Sequence, residues 1–207
     1  MPPEHMHTVV TVYVSAVLPT LVVIWAYLTH RMPRWLFVLW LISLALCVFG
    51  WELWLTYGLV DGQDVNARRP AALAAAIPMH INWLLNSLAD ASSIGLFGVL
   101  LIWLCYGRGD RAFRQWRWGA FVILLVWFVG QNLWVELFIY QQQLAEGFRL
   151  SWAPLIPTGP WFNPVLFDIG GRSVQLQTQL PWVLMTPIYY WLLIRIYNHF
   201  DTTAPAA

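Results

Sequence analysis

The sequence predicts an all-α integral membrane protein, a bundle of five transmembrane helices with a small extramembrane loop or β-hairpin as its cap. Three observations predict it. Of 207 residues, 59% are hydrophobic. Only 10% are charged, against about a quarter in soluble domains. Five apolar segments approach the roughly 20 residues needed to cross a hydrocarbon core, at about 8–29, 35–58, 81–106, 118–140 and 179–197. Residues 1–207 read as a single membrane domain.

Taken in order, the first segment follows an N-terminus, MPPEHMHT, with no basic region and no small-residue cleavage site, so it is expected to be a retained helix. Pro19 and Pro187 fall inside the first and last segments and predict kinks, which bundles tolerate when a neighbour satisfies the freed carbonyl. The break HRMPR allows only a tight hairpin between the first two helices. Two connections are long, 59–80 and 141–178. The second is rich in Trp and Pro, and within it Pro164 to Ile169 and Arg172 to Leu176 flank Gly170-Gly171, which predicts a β-hairpin.

All eleven basic residues are Arg, which points to a bacterial source, and the net charge of +1 excludes a phosphate-binding patch and a nucleic-acid partner. Arg31, Arg34, Arg108, Arg111, Arg114, Arg117 and Arg195 fall on one side of a five-span topology, against Arg68, Arg69, Arg149 and Arg172 on the other. That asymmetry places the N-terminus outside and the C-terminus in the cytoplasm of an inner membrane. Cys47 and Cys105 lack redox spacing and are expected to be buried thiols.

Ionisable residues inside spans are costly, about 2.5–3.5 kcal/mol even on lenient scales, and mark candidate functional sites. Glu52, Asp90 and Glu136 are such residues. Counted from the outer ends of their spans, Glu52 lies about 9 Å deep and Asp90 about 13 Å, with Glu136 shallower, so all three converge on the outer half of the bundle. Asn82, Asn86 and Asp90 form an i, i+4, i+8 row with Ser93 beside it. Asn132, Glu136 and Tyr140 form a second row, and Glu52 with Thr56 a short third. With no Arg expected at that depth, at least one acid is expected to hold its proton and act as a general acid. Trp51, Trp182 and Tyr189 bring aromatic faces that stabilise a cation, and Gln179 adds an amide at the same end. The catalytic candidates are therefore Glu52, Asp90 and Glu136. The substrate-binding candidates are Trp51, Asn82, Asn86, Ser93, Asn132, Tyr140, Gln179, Trp182 and Tyr189. His80 is the only histidine near the acids, and no phosphate loop, dinucleotide fingerprint or Ser/His/Asp arrangement occurs, so neither a metal nor a cofactor is expected.

The pattern resembles the emopamil-binding protein family, whose EXPERA membrane domain includes sterol Δ8-Δ7 isomerases and non-enzymatic relatives. Glu52, within Gly50-Trp51-Glu52-Leu53-Trp54-Leu55-Thr56-Tyr57, is similar to the family's second-helix acid. Asp90, eight residues before Gly98, matches its third-helix acid; Val129-Gly130-Gln131 leading to Glu136 matches the fourth helix; Gln179-Leu180-Pro181-Trp182 stands where the family has Asn-x-x-Trp. Val48 stands where the isomerases have His, Asp90 and Gln179 replace Glu and Asn, and the fourth-helix acid is offset by one position. The resemblance implies a cofactor-free isomerase acting on a double bond of a sterol-like or polyprenoid lipid through a carbocation. A second resemblance, through Trp51-Glu52 to Tyr57-Gly58, is to integral membrane terpene cyclases, which usually have seven spans and a further acid in the last. A lipid-binding protein without turnover uses the same pocket. The expected partners are a hydrophobic isoprenoid or sterol-like molecule and membrane lipids, with a homodimer left open.

Overall fold

A computed structural model describes residues 2–58, 64–139, 164–170 and 172–202. The order is α1 (Pro3–Leu28), α2 (Arg34–Phe49), α3 (Trp51–Tyr57), α4 (Val65–Arg68), α5 (Ala71–Ala76), α6 (Met79–Ala89), a π-helical segment (Asp90–Gly95), α7 (Leu96–Cys105), α8 (Arg111–Arg114), α9 (Trp118–Phe138), β1 (Val165–Ile169), β2 (Arg172–Gln175) and α10 (Leu176–Thr202). Among the described residues, four helical stretches are long and apolar enough to cross a membrane: His5–Leu28, Arg34–Tyr57, Met79–Cys105 and Trp118–Phe138. At 27 residues α10 has the length, but Pro181, Pro187, Arg195 and its aromatic residues dilute its apolar character. The outer faces carry apolar side chains, such as Leu18, Leu21, Leu28 and Val126, as lipid contact requires.

Two of the predicted uninterrupted spans depart from α geometry at the acids they carry. The second breaks at Gly50 (φ −98, ψ −121), immediately before Trp51 and Glu52. A Cβ at Gly50 would collide with the carbonyl oxygen of Leu46, so the break depends on glycine. The indole N–H of Trp83 donates to the Val48 carbonyl (2.8 Å), one of the acceptors in the last turn of α2. The third span opens at Asp90 into the π segment, a geometry frequent at functional sites. The indole N–H of Trp127 donates to the Ile94 carbonyl there (3.0 Å). Pro19 behaves as expected of a proline within a helix, since it cannot donate to the Ser15 carbonyl, and Ser93 supplies that hydrogen bond instead (2.6 Å).

The first long connection is not a bare loop, because Asp64 caps the short helix α4 by accepting from the Ala67 amide, and α5 packs against α1. The β-hairpin forms as expected, antiparallel with Ile169 opposite Arg172 and a bulge between Val165 and Phe167. Gly170 takes the left-handed conformation of its turn (φ 57). β1 is exposed along its length, whereas Val174 of β2 is buried where that strand meets α9 and α10. Cys47 is buried, but Cys105 is exposed because it ends α7 on an outward face, correcting one of the two expected buried thiols.

The core is not continuous. One apolar cluster joins α2, α7, α8, α9 and α10 around Leu39, Phe128, Trp182 and Tyr190. A second joins α1, α5 and α6 around Ala16, Leu73 and Leu85, and a third, smaller one holds Val23, Trp40 and Ala91. Between them lies a cavity.

Candidate functional site

The cavity measures about 780 Å³, within the range of small-molecule pockets. Residues of α1, α3, α6, the π segment, α7, α9 and α10 line it. From Asn86 to Leu100 it follows one helical stretch for about 20 Å, at about 1.5 Å of rise per residue. The wall toward Val22, Val23, Met32 and Leu100 is apolar, while Glu52, Asn86, Asp90, Asn132 and Thr178 collect nearer the other end.

Asp90 is held on this wall by a hydrogen bond from another helix. Its Oδ2 accepts from the indole N–H of Trp51 at 2.8 Å, tying the residue after the Gly50 break to the first residue of the π segment. Asp90 keeps accessible surface, and that surface faces the cavity. The ring of Trp51 lies 5.8 Å from that of Trp182, which in turn meets Phe128 edge-on at 5.8 Å. Behind Asp90 a second chamber of about 30 Å³ is lined by Ser43, Cys47, Gly95 and Tyr189 among others. The Tyr189 hydroxyl is buried there, close to Ser43 but without hydrogen-bond geometry to any partner.

Glu52 is 3% exposed and lines the same cavity, near enough to Asp90 for the two carboxyl groups to sense each other's charge. The expectation that no arginine reaches this depth is corrected by the fold. Arg68 and Arg69 leave α4 pointing inward, are 1% and 4% exposed, and lie within electrostatic range of Glu52. Arg68 donates to the Leu55 carbonyl through Nη2 (2.6 Å) and to the Asp64 carbonyl through Nε (3.2 Å). Burial, and then the neighbouring charge of Arg69, bring the Arg68 guanidinium down to about 9, which leaves it cationic at neutral pH. The sequence reading counted both residues only toward the charge of the outer side; an Arg pair between two acid-bearing spans was the available signal.

The sequence-derived candidates separate in space. Trp51, Asn86, Asp90, Ser93, Asn132 and Trp182 join Glu52 on the cavity wall. Asn82 is fully buried away from it, accepting from Arg69 (2.6 Å) and donating to Thr56 (3.3 Å). Ser93 spends its hydroxyl proton on the Ser15 carbonyl. Glu136, 1% exposed, meets α10: both its oxygens lie 3.0 Å from the Thr178 hydroxyl, and Gln179 Nε2 donates to it. Asn132 donates to Gln179 Oε1 and to the Thr178 carbonyl, each at 3.0 Å. This network fastens α9 to the start of α10 beside the cavity. Tyr140 lies outside the described residues, as does most of the 141–178 cap. Thr11 and Ser15 of α1, spaced four apart, and Thr178 are wall residues that the sequence reading did not single out.

Among the described residues, no group of three or more His, Cys, Asp or Glu is placed to hold a metal ion. No family model, curated protein or solved structure matches the chain.

Proposed function

We propose that the protein is an integral membrane enzyme that moves a double bond of an isoprenoid or sterol-like lipid by acid–base chemistry, without a cofactor. The observation that carries this reading is the placing of two carboxyl groups, Asp90 and Glu52, on the wall of one largely apolar cavity with the indoles of Trp51 and Trp182. Asp90 gives its proton to one alkene carbon, and the π electrons form the new C–H bond. The cation left on the neighbouring carbon faces the indole rings, whose π-electron faces attract positive charge. Glu52 takes a proton from the carbon beyond, and the double bond re-forms one position along. One proton enters and one leaves; passage from Glu52 to Asp90 across the cavity resets the site. Capture of the cation by an internal alkene turns the same protonation into a cyclisation.

The order of acids along the second, third and fourth long helices, and Trp182 in the last, support the likeness to the emopamil-binding family. The proposal includes α10 as a fifth span, about 40 Å long if fully helical, with the N-terminus outside and the C-terminus in the cytoplasm of a bacterial inner membrane, as the arginine distribution favours.

The test is deuterium incorporation. Membranes containing the protein are incubated in heavy water with isoprenoid alkenes, and the recovered lipid is analysed by mass spectrometry. Incorporation that is lost in Asp90→Asn and Glu52→Gln supports the enzyme. Lipid that co-purifies with the protein but takes up no deuterium leaves a lipid-binding protein in its place.

A further inference from the structure

The β-hairpin carries an apolar face that the helices cover only in part. Its register sets Phe167 opposite Val174 and Ile169 opposite Arg172, with Asp168 opposite Ser173 between them. Paired residues share a face of the sheet and successive residues alternate, so Phe167, Ile169 and Val174 lie on one face and Asp168 and Ser173 on the other. The polar pair closes on itself, Ser173 donating to Asp168. On the apolar face Val174 is fully buried where β2 meets α9 and α10. Phe167 and Ile169, on the strand away from the helices, stay 39% and 54% exposed.

Three features of the fold bear on what meets the uncovered part. The first is its height. The Gln175 backbone N–H donates to the Glu136 carboxyl, and the Thr178 hydroxyl to the Gln175 carbonyl (2.8 Å). Glu136 stands two residues before the end of α9, so the root of the hairpin is tied about 3 Å below that helix end. Val174, and with it Phe167, lies one strand residue further on, about 3.3 Å. The second is continuity. Trp134 and Phe138 of α9 and Val183 and Leu184 of α10 are exposed at the same end, and outward tryptophan is typical of the interfacial layer. The apolar surface of the helices thus runs into the apolar face of the hairpin. The third is the free edge of β1, which among the described residues pairs with β2 alone. Unpaired backbone groups bar that edge from the hydrocarbon core, whereas the headgroup layer and its water supply partners. The bulge between Val165 and Phe167 and the charge of Asp168 both oppose strand pairing with a second copy of the chain.

We infer that the hairpin is an interfacial anchor whose partner is a phospholipid surface: Phe167 and Ile169 enter the boundary between headgroups and acyl chains, while Asp168 and Ser173 face water. The anchor rests on the placing of the chain in a membrane and is independent of the acid–base chemistry proposed for the cavity.

The experiment uses the full chain in phosphatidylcholine nanodiscs, with Cys105→Ser removing the exposed thiol and the buried Cys47 retained. Phe167→Cys, Asp168→Cys, Ile169→Cys and, as a reference within the fourth span, Val126→Cys are each labelled with an environment-sensitive fluorophore. Lipids brominated near the glycerol end of their acyl chains serve as quenchers. Roughly half the emission is expected to be lost at Phe167 and Ile169, the depth of interfacial insertion being about 5–10 Å, with little loss at Asp168. Lipids brominated near the chain ends are expected to quench Val126 most strongly. Equal quenching at the three hairpin positions overturns the inference, because the strand then has no lipid-facing side. Quenching at Val126 with none at Phe167 and Ile169 also overturns it, and means that another part of the chain or a second copy covers the face. Absence of quenching at Val126 overturns the membrane placement and the anchor together. Deuterium uptake plays no part in this readout, so failure of the enzyme reading is told apart from failure of the anchor.

Discussion

The indole nitrogen of Trp51 stands 2.8 Å from Oδ2 of Asp90. One side chain follows a broken helix and the other begins a π turn, so the hydrogen bond joins two backbone irregularities. Trp51→Phe keeps the ring against Trp182 and removes only the donor. We expect deuterium uptake to fall by roughly tenfold and stability by about 1–2 kcal/mol, the range for a partly buried hydrogen bond to a carboxyl. Melting in detergent alongside the exchange assay checks both; unchanged uptake shows that Asp90 needs no orientation from Trp51.

Gly50 bears on the other acid. A Cβ here meets the Leu46 carbonyl oxygen, a backbone atom that cannot swing aside. Gly50→Ala is expected to cost about 1–3 kcal/mol and to displace Glu52. Thermal unfolding should fall while Gly130→Ala, where a Cβ meets nothing within 4 Å, stays near wild type. Equal stability of the two variants would mean that the break does not require glycine.

For Glu136 the hydrogen bonds to Thr178 and Gln179 predict a fastening role. Gln179→Leu leaves the carboxyl short of a donor, and a loss of about 1–3 kcal/mol is expected. Glu136→Gln should retain deuterium uptake at a modest cost in melting temperature. Uptake abolished at an unchanged melting temperature would instead assign Glu136 to the chemistry.

At the opposite end, Arg114 donates to Asp110 through Nε and Nη2 (2.9 and 2.7 Å) and also bonds Asp201, while Tyr197 donates to Asp110 at 2.8 Å. The Arg114 hydrogen bonds, then that from Tyr197, hold the Asp110 carboxyl below the usual carboxylate range. A lowered folded-state value stabilises the fold above the unfolded-state value of about 3.9 and loses that contribution as pH falls through the lower one. The melting temperature should therefore hold between roughly pH 7 and 5 and decline below about 4, with a flatter acid limb in Asp110→Asn. The group is exposed, so the effect is small and added salt should reduce it.

The sequence exposed the long helices, the hairpin turning at Gly170, and the meeting of Glu52, Asp90 and Trp182, because hydrophobic run length and rare intramembrane charge are properties of residue order. It could not show that Arg68 and Arg69 turn inward, since that follows from the capping of α4 by Asp64 and from acceptors on Leu55 and Asn82 that only the packed helices supply. Nor could it rank Asn82 against Asn86. Both lie on one helical row, and what separates them is that Arg69 occupies the first. Four indole N–H groups serve as donors at the irregularities, a role that residue order did not assign to them: Trp40 to Ser92, Trp51 to Asp90, Trp83 to Val48 and Trp127 to Ile94.

A π turn accommodates more residues than an α turn and bonds i to i+5. If Asp90–Gly95 relaxed to α geometry, the surplus would have to pass along the helix, turning one half against the other by about 100° for each residue passed. Deleting a single residue between Ala91 and Gly95 would remove the surplus and leave the two halves in register, whereas α geometry regained without that loss would swing Asn86 and Asp90 together off the wall they now share with Phe97 and Leu100. The direction in which this protein aims its acid is thus stored as a count of residues.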